Sequence, residues 1–381
     1  MFRKINQIRA NVIFFFFGVL SIYSCEFAIK EDQIKLMELE HLETLYFPLD
    51  VTTLRNKIRM GYLEDLDLLY VHNENPKKID FYDFSDKTLF QTVEFDEIDS
   101  KRVLNKTMVH VLSPDSIYIY DQITNKLVLY SDKGKELHHV GTVLDENDKA
   151  DYGIMPWCYF YRNYTGNFFF GVTIRGEPVK KTNASPVLFY SESTNKKKFF
   201  GVWPEEYLKD NQMSFSGPSF LEVDDHLYLS MGFSDKLQVL SSSGELISTF
   251  LANSNLMRPY RSINNKSSAL EESARYQLTN SRYTNLLYDK SSGYLIREGS
   301  IGSNIPDNVS PFSGEIFPSR NNDDIYFVLI IIDPKNGKVG EIQGSWIGND
   351  SFSTKDGIYI QDKLTDPKNE DVLIVNKMRI K

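Results

Sequence analysis

Cysteine is nearly missing from this chain: among 381 residues there are two, Cys25 and Cys158. A single pair cannot build a disulfide framework, and no cysteine cluster exists for a zinc site. Histidine offers no substitute. The six histidines, His41, His72, His110, His138, His139 and His226, form no HExxH and no i, i+4 pair around an acid. The glycine-flanked serines Ser216 and Ser313 do not lie in GxSxG, so a nucleophile elbow is excluded. No glycine-rich phosphate loop opens a helix and no parallel βαβ run is present, and no cofactor is expected. Positive charge is also short, 43 Lys+Arg against 52 Asp+Glu for a net charge of −9, which argues against nucleic acid as a partner.

What is present begins at the N-terminus. Arg3, Lys4 and Arg9 precede an apolar run, Val12 to Ile22, of eleven residues. A membrane-spanning helix needs about 20, so residues 1–24 read as a signal peptide rather than a single membrane anchor. Ile22-Tyr23-Ser24-Cys25 resembles a bacterial lipobox with a bulky Tyr23. That resemblance implies lipidation of Cys25 as the mature N-terminus; pairing with Cys158 is the alternative. Lys30-Glu31-Asp32 resembles a surface-export signal or is a solvated tether. Without residues 1–24 the chain keeps 40 Lys+Arg against 52 Asp+Glu, net −12, so membrane binding would fall to the lipid. Residues 25–43 read as a tether with a helical turn or two in Lys30 to Glu43, and 44–381 as one folded domain.

That domain repeats a pattern. Ser116 to Leu137 (SIYIYDQITNKLVLYSDKGKEL) holds β-branched and aromatic runs separated by turn chemistry. With Met108 to Leu112 before it, the unit has four short strands. Related units are read at Tyr70–Val93 (three strands), Trp157–Val202, Phe220–Phe250, Tyr283–Ile342 and Ser351–Asn376, the last again with three. The orphan strand Thr44 to Leu49 supplies its fourth. The expected fold is therefore an all-β propeller of six four-stranded blades, seven being the alternative, closed by an N-terminal strand in the last blade. Ser268 and Glu271 suggest a capping box and a short helix within the irregular 253–280 segment.

Chemistry is sparse. Asp145 to Asp151 looks like a calcium loop but has Ala150 at the sixth position and Pro156 at the twelfth, so a solvated acidic loop is the better reading and no metal is expected. Cys158 reads as a buried small hydrophobe. Arginines and aromatics gather in the irregular segments: Trp157, Tyr159, Arg162, Arg258, Tyr260, Arg261, Arg275 and Arg282. With His226 in a strand, they are the candidate binding residues, since propellers bind at the channel mouth and Arg forks suit carboxylates, sulfates or sugar acids. The plain alternative pairs these arginines with surplus acids over apolar surface.

The lipobox, the hairpins SIYIYDQITNKLVLYSDKG and HLYLSMGFSDKLQVLSSSG, and YTNLLYDKSSGYLIR followed by IIIDPKNGKVGEI are similar to six-bladed propeller lipoproteins of Bacteroidetes, a domain-of-unknown-function family. The resemblance implies a propeller and an envelope address, an outer-membrane lipoprotein on the periplasmic side or the cell surface. The expected protein is a monomer held to the membrane through Cys25. It would be a binding or scaffolding module for a peptide, glycan or envelope protein. The alternative is a propeller enzyme, a lyase or glycan hydrolase, at the channel mouth.

Overall fold

The computed structural model describes residues 35–50, 53, 58–74, 77–95, 107–122, 124–154, 160–174, 185–205, 207, 217–258, 275–276, 278–303, 327–344, 350–362 and 371–381. Short runs of Val, Ile, Tyr and Phe between turn residues form six antiparallel blade sheets, five of four strands and one of five. The fold is a six-bladed β-propeller.

Blade 1 comprises Ile58–Leu63, Leu68–Glu74, Lys77–Asp83 and Leu89–Glu94; blade 2, Thr107–Ser113, Ser116–Asp121, Lys126–Tyr130 and Glu136–Thr142. Blade 3 has Phe160–Arg162, Asn167–Gly171, Val187–Ser191 and Lys196–Phe200; blade 4, Ser219–Val223, His226–Ser230, Lys236–Ser241 and Leu246–Leu251. Blade 5 has Arg282–Asp289, Tyr294–Ser300, Phe327–Asp333 and Gly337–Gly344. Blade 6 takes Ser351–Thr354, Gly357–Gln361 and Val372–Ile380 from the C-terminal end and Leu39–Pro48 as its outermost strand. The first strands of blades 4, 5, 6 and 1 touch in succession, as do those of blades 2 and 3, so the first strand of each blade is innermost. Apolar side chains fill the spaces between blades, for example Tyr118, Tyr120, Phe168 and Phe170 between blades 2 and 3.

Three readings of the sequence change, two of them in strands. Strand Leu39–Pro48 occupies part of the segment read as helical; a bulge between His41 and Glu43 breaks its alternation. Blade 1 also gains an inner strand, Ile58–Leu63, whose pattern Arg59 and Gly61 obscure. Gly61 belongs there because the Tyr70 ring lies across it: a Cβ would stand 2.4 Å from the Tyr70 hydroxyl.

Antiparallel order gives the propeller two unlike faces. Turns between strands one and two, and between three and four, lie on one side and span two to five residues. Most left-handed residues are there, including Asp67, Asn195, Gly134, Gly244 and Gly293. The opposite side carries the links between strands two and three, short in blades 1, 2 and 4 (75–76, 122–125 and 231–235) and long in blades 3, 5 and 6 (172–186, 301–326 and 362–371), and the links between blades, 49–57, 95–106, 143–159, 201–218, 252–281 and 345–350. We refer to these as the turn face and the loop face. Asp145 to Asp151, read as a solvated acidic loop, instead starts a capped helix on the loop face. The Asp145 carboxylate accepts the N–H groups of Asn147 and Asp148 at 2.9 and 3.0 Å, and Lys197 Nζ donates to Asp145 and Asp148 at 3.0 and 2.9 Å. Those bonds and the Lys197 charge hold the Asp145 carboxyl down at about 2.

Candidate functional site at the loop-face mouth

Residues near the start of a first strand or the end of a second strand lie near the loop face. On blade 5 the ladder pairs Arg282 with Ser300 and Asn285 with Glu298. Directly paired residues of an antiparallel ladder share a face, so Arg282, Ser300, Asn285 and Glu298 occupy the face of blade 5 that also carries Leu287 and Ile296. Those two side chains pack with Ile358 and Ile360 of blade 6, which places Glu298 between blades 5 and 6.

Glu298 is a carboxyl buried in a mainly apolar sheet, and Ser351 Oγ donates to its Oε1 at 3.1 Å. Desolvation, with the Asp350 charge adding to it, pushes Glu298 up to about 7 against the bonds from Ser351 and Asn285. Asp350 stands beside it, and its Oδ2 accepts the Met60 N–H at 2.9 Å, joining blade 6 to the inner strand of blade 1. Tyr70, laid over Gly61, is raised to about 12 by burial and the Asp350 charge. Arg59 and His72 are direct partners in the adjoining ladder positions. Burial first, then the Arg59 charge, pushes His72 down to about 4, so His72 is neutral at pH 7 and its Nε2 lacks a hydrogen-bond partner among the described residues. A protonatable carboxyl and a second carboxylate thus lie together between blades 5 and 6, and the Asp350 charge reaches Tyr70 of blade 1, which shares with His72 and the exposed Arg59 the face turned toward blade 2. Such a set can bind a polar ligand, and in principle donate and accept a proton.

The candidate residues from the sequence separate into two groups. Arg258 and Arg282 lie at the loop face beside blade 5. The Arg258 N–H donates to Ser281 Oγ at 2.8 Å, next to Arg282 in the chain. Arg162 ends the inner strand of blade 3 at the turn face, its guanidinium 5.3 Å from the Tyr118 ring centre and 5.6 Å from that of Phe168. His226 begins the second strand of blade 4 at the same face, its Nδ1 2.7 Å from the Asp224 carbonyl. Trp157, Tyr159, Tyr260 and Arg261 lie outside the described residues, as do Cys25, Cys158, Ser268 and Glu271.

Sequence reasoning passed over Arg59, Tyr70, His72, Asn285, Glu298 and Asp350. One signal was available. In YLIREGS two adjacent charges, Arg297 and Glu298, interrupt a strand that should be buried. Arg297, on the opposite face, is fully enclosed; it donates to Ser230 Oγ and to the carbonyls of Ala252, Met231 and Ser234, and stacks 3.4 Å from the Tyr283 ring centre. Among the described residues no group of His, Cys, Asp and Glu is arranged to hold a metal ion.

Comparison with solved structures returns the same architecture. The chain is similar to a DUF4221 family member from Bacteroides vulgatus with a TM-score of 0.71 and 16% identity, covering 92% of this chain and 99% of that one. A Bacteroides fragilis protein whose name gives it as exported aligns with a TM-score of 0.52 and 10% identity, covering 90% of this chain and 95% of that one. A streptogramin B lyase aligns at 0.44 and 13% identity over 88% and 98%. What the first two share with this chain is the propeller. No family model and no curated protein matches the chain. Among the described residues no helix is long and apolar enough to cross a membrane.

Proposed function

We propose that this propeller is a cell-envelope binding module that holds a glycan, peptide or envelope protein on its loop face, over the mouth formed by blades 5, 6 and 1. The observation that carries this reading is the collection of the long connections and the exposed Arg59, Arg258 and Arg282 on one face. Loops on a rigid scaffold are where binding surfaces concentrate. A lipid on Cys25 would anchor the module in the outer membrane. The strand Leu39–Pro48 begins at the turn face, so a tether reaching it there leaves the loop face open to a partner.

The test is capture from native envelope together with glycan-array screening, using the lipid-free chain as a monomer. Binding should fall in Arg59→Gln and persist in Lys355→Gln, a change at an exposed turn-face charge. Equal capture by both variants would place the partner elsewhere. Palmitate labelling that disappears in Cys25→Ala checks the anchor. A second reading, an enzyme at the same mouth, is favoured by Glu298 beside Asp350. Turnover of a glycan that Glu298→Gln abolishes without loss of binding would select it.

A further inference from the structure

Several basic groups in this acidic protein sit against acids. Lys78 is 3.2 Å from Asp80, Lys338 is 3.1 Å from Glu341, and Arg379 is 2.9 Å from Glu40. Arg258 and Arg282 differ. Both keep solvent access, and neither guanidinium has a hydrogen bond or ion pair among the described residues. Desolvation alone holds the Arg282 guanidinium below the usual arginine value, with no acid offsetting it. A partly desolvated cation without a counter-charge is costly, and an anion at that spot would relieve the cost.

The backbone around the two arginines is built to hold them. Ser281 is buried, and its Oγ accepts the N–H of Arg258 at 2.8 Å and of Gly302 at 3.0 Å, so one hydroxyl ties both ends of the 252–281 link to the start of the next. Gly302 is packed so closely that a Cβ would meet the Thr279 carbonyl oxygen at 2.0 Å. Asn280 Nδ2 donates to the Tyr276 carbonyl at 3.1 Å and the Ser303 N–H to the Leu278 carbonyl at 2.8 Å. Arg258 and Arg282 therefore project from neighbouring, fixed points where the innermost strand of blade 5 begins.

Resting on the binding-module reading, we propose that Arg258 and Arg282 form a carboxylate-recognition site that takes an acidic group of the ligand at the loop-face mouth. Guanidinium forks match the two oxygens of a carboxylate, and a pair held on a rigid hub loses little freedom on binding.

The probe is D-glucuronate, titrated calorimetrically into the full chain, with D-glucose and inorganic sulfate as separate arms. Saturable glucuronate binding is expected, weakening as salt rises, with none for D-glucose. Arg258→Gln and Arg282→Gln should each weaken it by about tenfold or more, the value of a charged hydrogen bond. Lys355→Gln, which removes the same charge at the turn face, should leave it unchanged. No glucuronate binding by folded wild type, or equal binding by the double variant, overturns the proposal. Sulfate bound as tightly through the same arginines overturns the carboxylate assignment. If an envelope partner is captured equally by wild type and the double variant but lost in Arg59→Gln, the loop-face reading stands and the arginine site falls.

Discussion

The two faces end the same strands in different ways. On the turn face short links with left-handed residues close each hairpin with little chain to order. On the loop face the links run to 252–281 and 301–326, and buried side chains do the holding: Arg297 through the carbonyls of Met231, Ser234 and Ala252, Ser281 through two N–H groups. Local turn chemistry suffices where nothing else is asked of the chain. Buried polar anchors appear where long links start and end.

That contrast can be broken most severely at Arg297. Arg297→Leu leaves three buried carbonyls without their donor, and a loss of about 3 kcal/mol or more is expected by chemical denaturation. Amide exchange should quicken at Ala252 to Ser254 before any turn-face hairpin responds. Uniform quickening would mean that the loop face has no separate anchor.

Glu298 comes next. Its folded value, about 7, lies above its unfolded value of 4.5. The stabilisation from holding it protonated is fully present below about pH 4.5 and is lost as pH rises through 7. Relative to Glu298→Gln, wild type should lose about 3 kcal/mol between pH 4.5 and 8. Parallel stability profiles for the two proteins would refute this.

On the turn face, Gly134 has φ +64° and a Cβ there would lie 1.8 Å from the Glu94 carbonyl oxygen. Gly134→Ala should cost about 2 kcal/mol through strain alone, with ligand binding at the loop face unaffected. A binding change without a stability change would couple the faces. The smallest effect belongs to the turn-face ion pair of Lys290 with Glu64, both partly exposed. Lys290→Ala should shift stability by less than about 1 kcal/mol, and salt should erase the difference.

Much of the blade pattern was legible from residues because strands and tight turns carry local signals. Phe220–Val223, His226–Leu229, Leu237–Leu240 and Leu246–Phe250 lie within the four strands of blade 4, and the closing N-terminal strand follows from blade 6 having one too few. Ile58–Leu63 was hidden because its glycine and arginine serve contacts made elsewhere. The candidate site was legible only in part. Arg258 and Arg282 stood out as arginines in irregular segments, whereas Glu298 meets Ser351 and Asp350 across two blades, a neighbourhood that no local pattern encodes. Arg162 has the same residue chemistry as Arg258 and Arg282; only strand direction sends it, with His226, to the other face.

The seam in blade 6 bears on how the molecule is made. Leu39 pairs with Ile380 and Pro48 with Val372, so the last sheet joins residues more than three hundred positions apart. Blades 1 to 4 and the four consecutive strands of blade 5 are continuous in sequence and can form as the chain emerges, but closure waits for the C-terminal strand. Until then the strand 39–48 is an exposed apolar edge looking for a partner. Refolding should therefore finish with a slow step that accelerates when Glu38 and Lys381, already linked by an N–H to carbonyl bond of 2.9 Å, are joined and the chain is opened between two blades instead.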